Sequence, residues 1–220
     1  MVIFDGRGVG QSDAPDMPYT MEMFADDLAG LLDVIGINSA HVYGESFGGG
    51  VAQYFAIRHL EKVKSLILVS TTCRGTDSSK EINKYTSGTG EITDEQARTV
   101  VRLTVSQDFI DKNPGIVEKM VENFKKRPPP SRSSILQQQA FLVANTCRRL
   151  PDIKVPTLVI HGEADGVIPV ENGRFLASRI PNAELMIFKN TGHFFVEAPV
   201  ERDKAALDFL RRHRLTHKEE

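Results

Sequence analysis

Val42-Tyr43-Gly44-Glu45-Ser46-Phe47-Gly48-Gly49-Gly50 is the stretch on which the reading of this chain turns. The apolar run Ala40 to Tyr43 reads as a strand that passes through G-x-S-x-G directly into a helical pattern, Phe47 to His59. A serine on such a strand-to-helix turn is held in a strained backbone conformation that presents its Oγ above the sheet. The glycines around it allow backbones to approach where no Cβ would fit. Alone, the pentapeptide decides little, because a serine ahead of a helix is also an ordinary N-cap.

Two later stretches change that. In His161-Gly162-Glu163-Ala164-Asp165-Gly166-Val167-Ile168-Pro169 an acid sits on a turn after an apolar strand, and Asn190-Thr191-Gly192-His193-Phe194-Phe195 places a histidine on a loop after another. Serine, aspartate and histidine in that chain order, each behind a strand, can form one relay. Ser46 is the candidate nucleophile, since a free serine hydroxyl attacks only beside a base. A histidine side chain can take up and release a proton under ordinary conditions, which suits His193 to the general base, later the acid to the leaving group. Asp165 would accept the Nδ1 hydrogen and fix the tautomer, with Glu163 and Asp152 as rival carboxylates. The Phe47 backbone N–H, at a helix N-terminus, is the candidate oxyanion donor.

Working outward, 220 residues allow one domain with a small insertion. With 25% charged residues, 40% hydrophobic residues and a net charge of −2, the composition argues against nucleic acid or an anionic membrane as the main partner. No apolar run is long enough for a transmembrane helix, and Asp5 and Arg7 interrupt any signal peptide. The basic clusters Lys125-Lys126-Arg127 and Arg211 to Arg214 read as solvated turns or helix C-termini. Cys73 and Cys147, the only cysteines, bracket the middle of the chain and are expected as free thiols in a cytoplasmic enzyme. His41, His59 and His161 lack the spacing of a metal site, so neither metal nor cofactor is expected.

Along the chain, Val2–Phe4 reads as a short strand ending at a glycine-rich turn, followed by a helix capped by Thr20 that runs to Gly36. Val63 to Val69 is another buried strand. The alternation predicts an α/β fold: a mostly parallel sheet with helices on both faces. Residues 73–150 break the rhythm. They hold no convincing strand, but helical patterns at Glu95–Val105, Ile116–Phe124 and Ser133–Cys147, with Pro128-Pro129-Pro130 as a rigid break. They read as a helical lid inserted into a core made of residues 1–72 and 151–220. Strands Thr157–Ile160 and Glu184–Phe188 and helices Val170–Ile180 and Glu197–Leu215 complete that core.

The chain resembles the α/β-hydrolase superfamily, in particular its lid-bearing serine esterase and lactonase branch. Asp5-Gly6-Arg7-Gly8-Val9-Gly10-Gln11-Ser12-Asp13 is similar to that branch's D-x-R-G-x-G-x-S turn. Gly44 to Gly48 is similar to its nucleophile elbow, Gly162, Asp165 and Pro169 to its acid loop, and Gly192-His193 to its histidine loop. The resemblance implies a metal-free serine hydrolase of small to medium carboxylic esters or lactones. A C–C bond hydrolase, or a non-catalytic binding protein on the same frame, is the alternative. An epoxide or halide enzyme would want an aspartate at Ser46. The resemblance also implies three strands and a helix ahead of the D-x-R-G-x-G turn, where only Met1 precedes Val2. The chain thus reads as a core without its first strands, lacking the loop that supplies the second oxyanion donor, and lower in stability for the missing layer. Either Val2–Phe4 pairs beside Ala40–Tyr43 and its turn stands in for that loop, or a second chain fills the gap, giving a homo-oligomer or strand-swapped dimer.

Overall fold

A computed structural model describes residues 1–87 and 91–213. The core is a parallel sheet of β1 (Ala40–Glu45), β2 (Val63–Val69), β3 (Thr157–Gly162) and β4 (Ala183–Phe188), adjacent in that order. Alternating side chains sort the central strands onto two faces, as a two-residue period requires. Leu66, Leu68 and Val159 point to one face, where Phe55 of α2 (Phe47–Arg58), Leu176 of α8 (Val170–Arg179) and Ile180 just beyond α8 cover them. Ile67, Val69, Leu158 and Ile160 point to the other, against Phe209 and Ala206 of α9 (Pro199–Arg212). The first helix, α1 (Met21–Val34), starts where Thr20 accepts the Met23 N–H and packs on α2 through Ala25, Ala29 and Leu32.

Between β2 and β3 the chain forms α3 (Lys80–Ser87), α4 (Asp94–Thr104), α5 (Gln107–Lys112), α6 (Pro114–Lys125) and α7 (Arg132–Val143). A Thr93/Gln96 capping box starts α4. Val101, Val117 and Val121 pack α4 against α6, whereas Leu136 and Ala140 join α7 to Phe24 and Tyr19 near α1. The predicted helices at 95–105 and 116–124 are present within a residue or two, but α7 stops at Val143 rather than at Cys147. Ala144 turns extended, Asn145 bridges to Arg74, and Thr146 donates its N–H to the Cys73 carbonyl at 2.8 Å. The two connections to the core therefore run side by side.

Three expectations are corrected. Cys73 and Cys147 are not free thiols: that pairing of the connections brings their Cα atoms to 5.0 Å, and they form a disulfide. Disulfides persist in oxidising compartments, so the bond takes away the thiol argument for a cytoplasmic setting. Second, Val2–Phe4 forms no strand and stays exposed. Asp5 instead closes a local turn, its carboxylate accepting the Gln11 N–H and its carbonyl the Ser12 hydroxyl. Third, the Gly6–Gly10 turn packs on α7, where Ser133 and Gln137 donate to the Gly8 and Arg7 carbonyls, and is absent from the wall of the cavity above Ser46. The end of the last predicted helix, Arg214 and Leu215, lies outside the described residues.

Candidate active site

Ser46 follows the end of β1 with φ 52° and ψ −117°, a conformation that costs a side-chain-bearing residue about 1–3 kcal/mol. The fold holds it from both sides. Its N–H donates to the Val69 carbonyl at 2.9 Å, and its own carbonyl accepts the Thr71 hydroxyl at 2.8 Å. The turn is tight enough that a Cβ on Gly44 would stand 2.4 Å from the Gly48 carbonyl oxygen, and one on Gly49 would stand 2.5 Å from Thr71 Cβ. Gly48, although inside the motif, faces open space. Phe47 opens α2, so its N–H lies at a helix N-terminus with no carbonyl of a preceding turn to take it.

The loop after β3 carries Asp165 and the loop after β4 carries His193, and both residues are buried. His193 Nε2 lies 3.1 Å from Ser46 Oγ, and its Nδ1 lies 2.8 Å from Asp165 Oδ2. Asp165 Oδ1 accepts the N–H groups of Val167 and Ile168 at 2.9 and 2.8 Å. Burial by itself pushes the Asp165 carboxyl upward, but hydrogen bonds from His161 and His193, with their attraction, outweigh it. The carboxyl is held below the usual carboxylate range. The structure thus brings Ser46, Asp165, His193 and the Phe47 amide together. It leaves the rivals outside: Glu163 is exposed, and exposed Asp152 pairs with Arg149.

Several residues that support this arrangement carry no motif. The end of α4 meets both loops, with Gly166 N–H donating to the Leu103 carbonyl at 2.9 Å. Glu197 accepts the Ser106 N–H at 2.7 Å and the Gly192 N–H at 3.2 Å, tying the histidine loop to the α4–α5 connection. Buried Gln53 of α2 donates to the Gly49 and Thr72 carbonyls and accepts from Thr146. Most of these contacts join residues far apart in sequence, so only the three-dimensional course of the chain could reveal them. His41 and His59 have ordinary partners in Ser65 and Asp26.

A cavity of about 480 Å³ opens above Ser46 and His193. Phe47, Val100, Phe124, Phe141, Val167, Ile168 and Phe194 give it largely apolar walls, and Pro128–Pro130 and Arg127 lie on its α6–α7 side. Arg127 stacks 4.3 Å above the Phe124 ring.

A parallel sheet covered on both faces, with a serine elbow and acid and histidine loops at the carboxyl ends of its strands, defines a class. The comparisons agree with it: the family model for the alpha/beta hydrolase fold matches residues 1–198, and the chain belongs to that family. It is 32% identical to 2-hydroxymuconate semialdehyde hydrolase of Pseudomonas putida over 203 residues, covering 86% of this chain and 69% of that protein. It is likewise 32% identical to poly(3-hydroxyalkanoate) depolymerase of Ectopseudomonas oleovorans, covering 89% and 69%. Among solved structures, the enol-lactonase from Burkholderia xenovorans LB400 superposes with a TM-score of 0.78 at 27% identity, over 94% of this chain and 79% of that one. Hydrolase activity is what these relatives share. Among the described residues no helix is long and apolar enough to cross a membrane.

Proposed function

We propose that the protein is a serine hydrolase that cleaves small to medium carboxylic esters or lactones through an acyl-enzyme on Ser46. The observation that carries this reading is the continuous relay from Ser46 Oγ through the His193 ring to Asp165, at 3.1 and 2.8 Å, on the floor of an apolar cavity. Ser46 Oγ attacks the substrate carbonyl carbon as its proton passes to His193 Nε2. The Phe47 N–H stabilises the charge that develops on the carbonyl oxygen, an interaction of about 3 kcal/mol for one such donor. Collapse of the tetrahedral intermediate expels the alkoxide, which takes the proton back from His193. A water deprotonated by His193 then attacks the acyl-enzyme and releases the acid and Ser46. Asp165 stays ionised throughout and holds the imidazolium.

Residues 73–150 act as a lid over residues 1–72 and 151–220, and the lid supplies most of the apolar wall that would take the acyl group. The similarity to an enol-lactonase and to a polyester depolymerase supports ester-type substrates. The similarity to a semialdehyde hydrolase favours a second reading, hydrolysis of a C–C bond beside a carbonyl by the same three residues. Turnover of p-nitrophenyl esters and simple lactones, compared with a dienol diketone, separates the two. The ester reading expects hydrolysis that Ser46→Ala abolishes. Turnover of the diketone alone would give preference to C–C cleavage.

A further inference from the structure

His161 is fully buried beneath the relay and has no part in the proton transfers above. Its Nε2 lies 2.8 Å from the Ile168 carbonyl. A carbonyl oxygen only accepts, so Nε2 carries the hydrogen. The same N–H stands 3.4 Å from Asp165 Oδ2, the oxygen that also receives His193 Nδ1. The other ring nitrogen, Nδ1, has no partner among the described residues. It abuts Gly173 of α8, where a Cβ would stand only 2.6 Å away. A hydrogen on Nδ1 would be a buried donor with nothing to receive it. The surroundings therefore select the tautomer that points its single N–H toward Ile168 and Asp165.

Resting on the serine-hydrolase reading, we propose that His161 is a positioning residue that sets how firmly Asp165 holds His193. It acts in two linked ways. Through the Ile168 carbonyl it fixes the loop whose amides at Val167 and Ile168 grip Asp165 Oδ1. Through its N–H it draws charge from Oδ2, so that the carboxylate attracts the His193 imidazolium less than an unshared one would. The groups facing this pair are few. Among the described residues, the groups bonded to the Asp165 carboxylate besides the two histidines are the Val167 and Ile168 backbone amides, and the Ser46 hydroxyl faces His193. The Glu197 carboxylate is engaged by the Ser106 and Gly192 N–H groups.

The test is an NMR titration of the His193 ring in the full chain, for the wild type, His161→Gln and His161→Leu, alongside the pH dependence of Ser46 labelling by a fluorophosphonate. Glutamine keeps an N–H donor at nearly the same reach; leucine removes it. The expected result is that His161→Leu moves the His193 titration and the acid limb of labelling upward by about half a pH unit or more. Labelling at neutral pH slows about two- to threefold, as a shift of that size allows, and His161→Gln restores most of both. A folded His161→Leu protein whose His193 titration is unmoved overturns the proposal, as does a His161→Gln protein that behaves like leucine. If leucine prevents folding, His161→Met, which likewise has no N–H donor, takes its place: an upward His193 shift that glutamine lacks supports the donor role, and an unmoved titration refutes it. Wild-type protein that is never labelled counts against the serine-hydrolase reading instead. The NMR titration still reports on His161 in that case, since it needs no reaction.

Discussion

At the scale of single residues, Asp165 gives the sharpest expectation. Asparagine in its place can still accept the Val167 and Ile168 amides through its oxygen, so the loop survives, but its NH₂ meets His193 Nδ1 and favours the wrong tautomer. Asp165→Asn should lower kcat by roughly 10⁴-fold with the fold intact, read by ester turnover and circular dichroism. The pH dependence of stability checks the same residue. Because the folded carboxyl lies below its ordinary range, its ionised form stabilises the fold above the unfolded value, near pH 4. That contribution fades as pH falls through the folded value. Thermal melts from pH 6 to pH 3 should therefore drop less steeply for Asp165→Asn than for the wild type. An equal slope would mean that Asp165 is not held as described.

The elbow glycines make a second residue-scale prediction, and one that the sequence motif alone ranks wrongly. Gly44→Ala and Gly49→Ala each drive a Cβ into backbone or Thr71 and should cost several kcal/mol. Gly48→Ala meets open space in a helical residue and should be neutral or stabilising by up to about 1 kcal/mol. Chemical denaturation of the three variants tests the order. The motif glycine Gly48 being the dispensable one, and Gly49 outside the motif the constrained one, follows only from where Thr71 sits.

At the scale of elements, what the sequence made legible was what local pattern dictates. The strands at Ala40, Val63 and Thr157 are marked by local apolar runs and the helix after Ser46 by the glycine-flanked elbow that opens it, and they appear where expected. Val2–Phe4 failed because three apolar residues do not make a strand without a neighbouring edge, and Asp5 instead bonds within its own turn. The overlong helix expected over Ser133–Cys147 failed for a related reason. Ala144–Cys147 is committed to pairing with Cys73 and Arg74, which no helical pattern encodes. The disulfide was invisible because only the fold brings together two cysteines 74 residues apart. Opening it frees a loop of that length, worth about 4 kcal/mol on the loop-closure model. A Cys73→Ala/Cys147→Ala protein should lose stability on that order, with proteolysis appearing first within residues 73–150. Unchanged melting and cleavage patterns would show that the hydrogen bonds of Gln53 and Thr146 secure the base of residues 73–150 by themselves.

At the scale of the whole molecule, the sheet is buried at its centre and open at its two outer strands, β1 and β4. β2 and β3 are buried, whereas the outer edge of β1 meets no strand among the described residues and leaves Tyr43 46% exposed. Ile3, 82% exposed, adds apolar surface at the chain's start. An open strand edge invites pairing with another. Sedimentation velocity should find concentration-dependent self-association that Tyr43→Lys weakens; a monomer at every concentration would refute it. The central claim, that the fold assembles an activated serine, is tested most directly by mass spectrometry after treatment with a fluorophosphonate, since no substrate need be known. The expected result is a single adduct on Ser46, lost in His193→Ala. A folded protein that takes no adduct, or takes one that His193→Ala leaves intact, would contradict it.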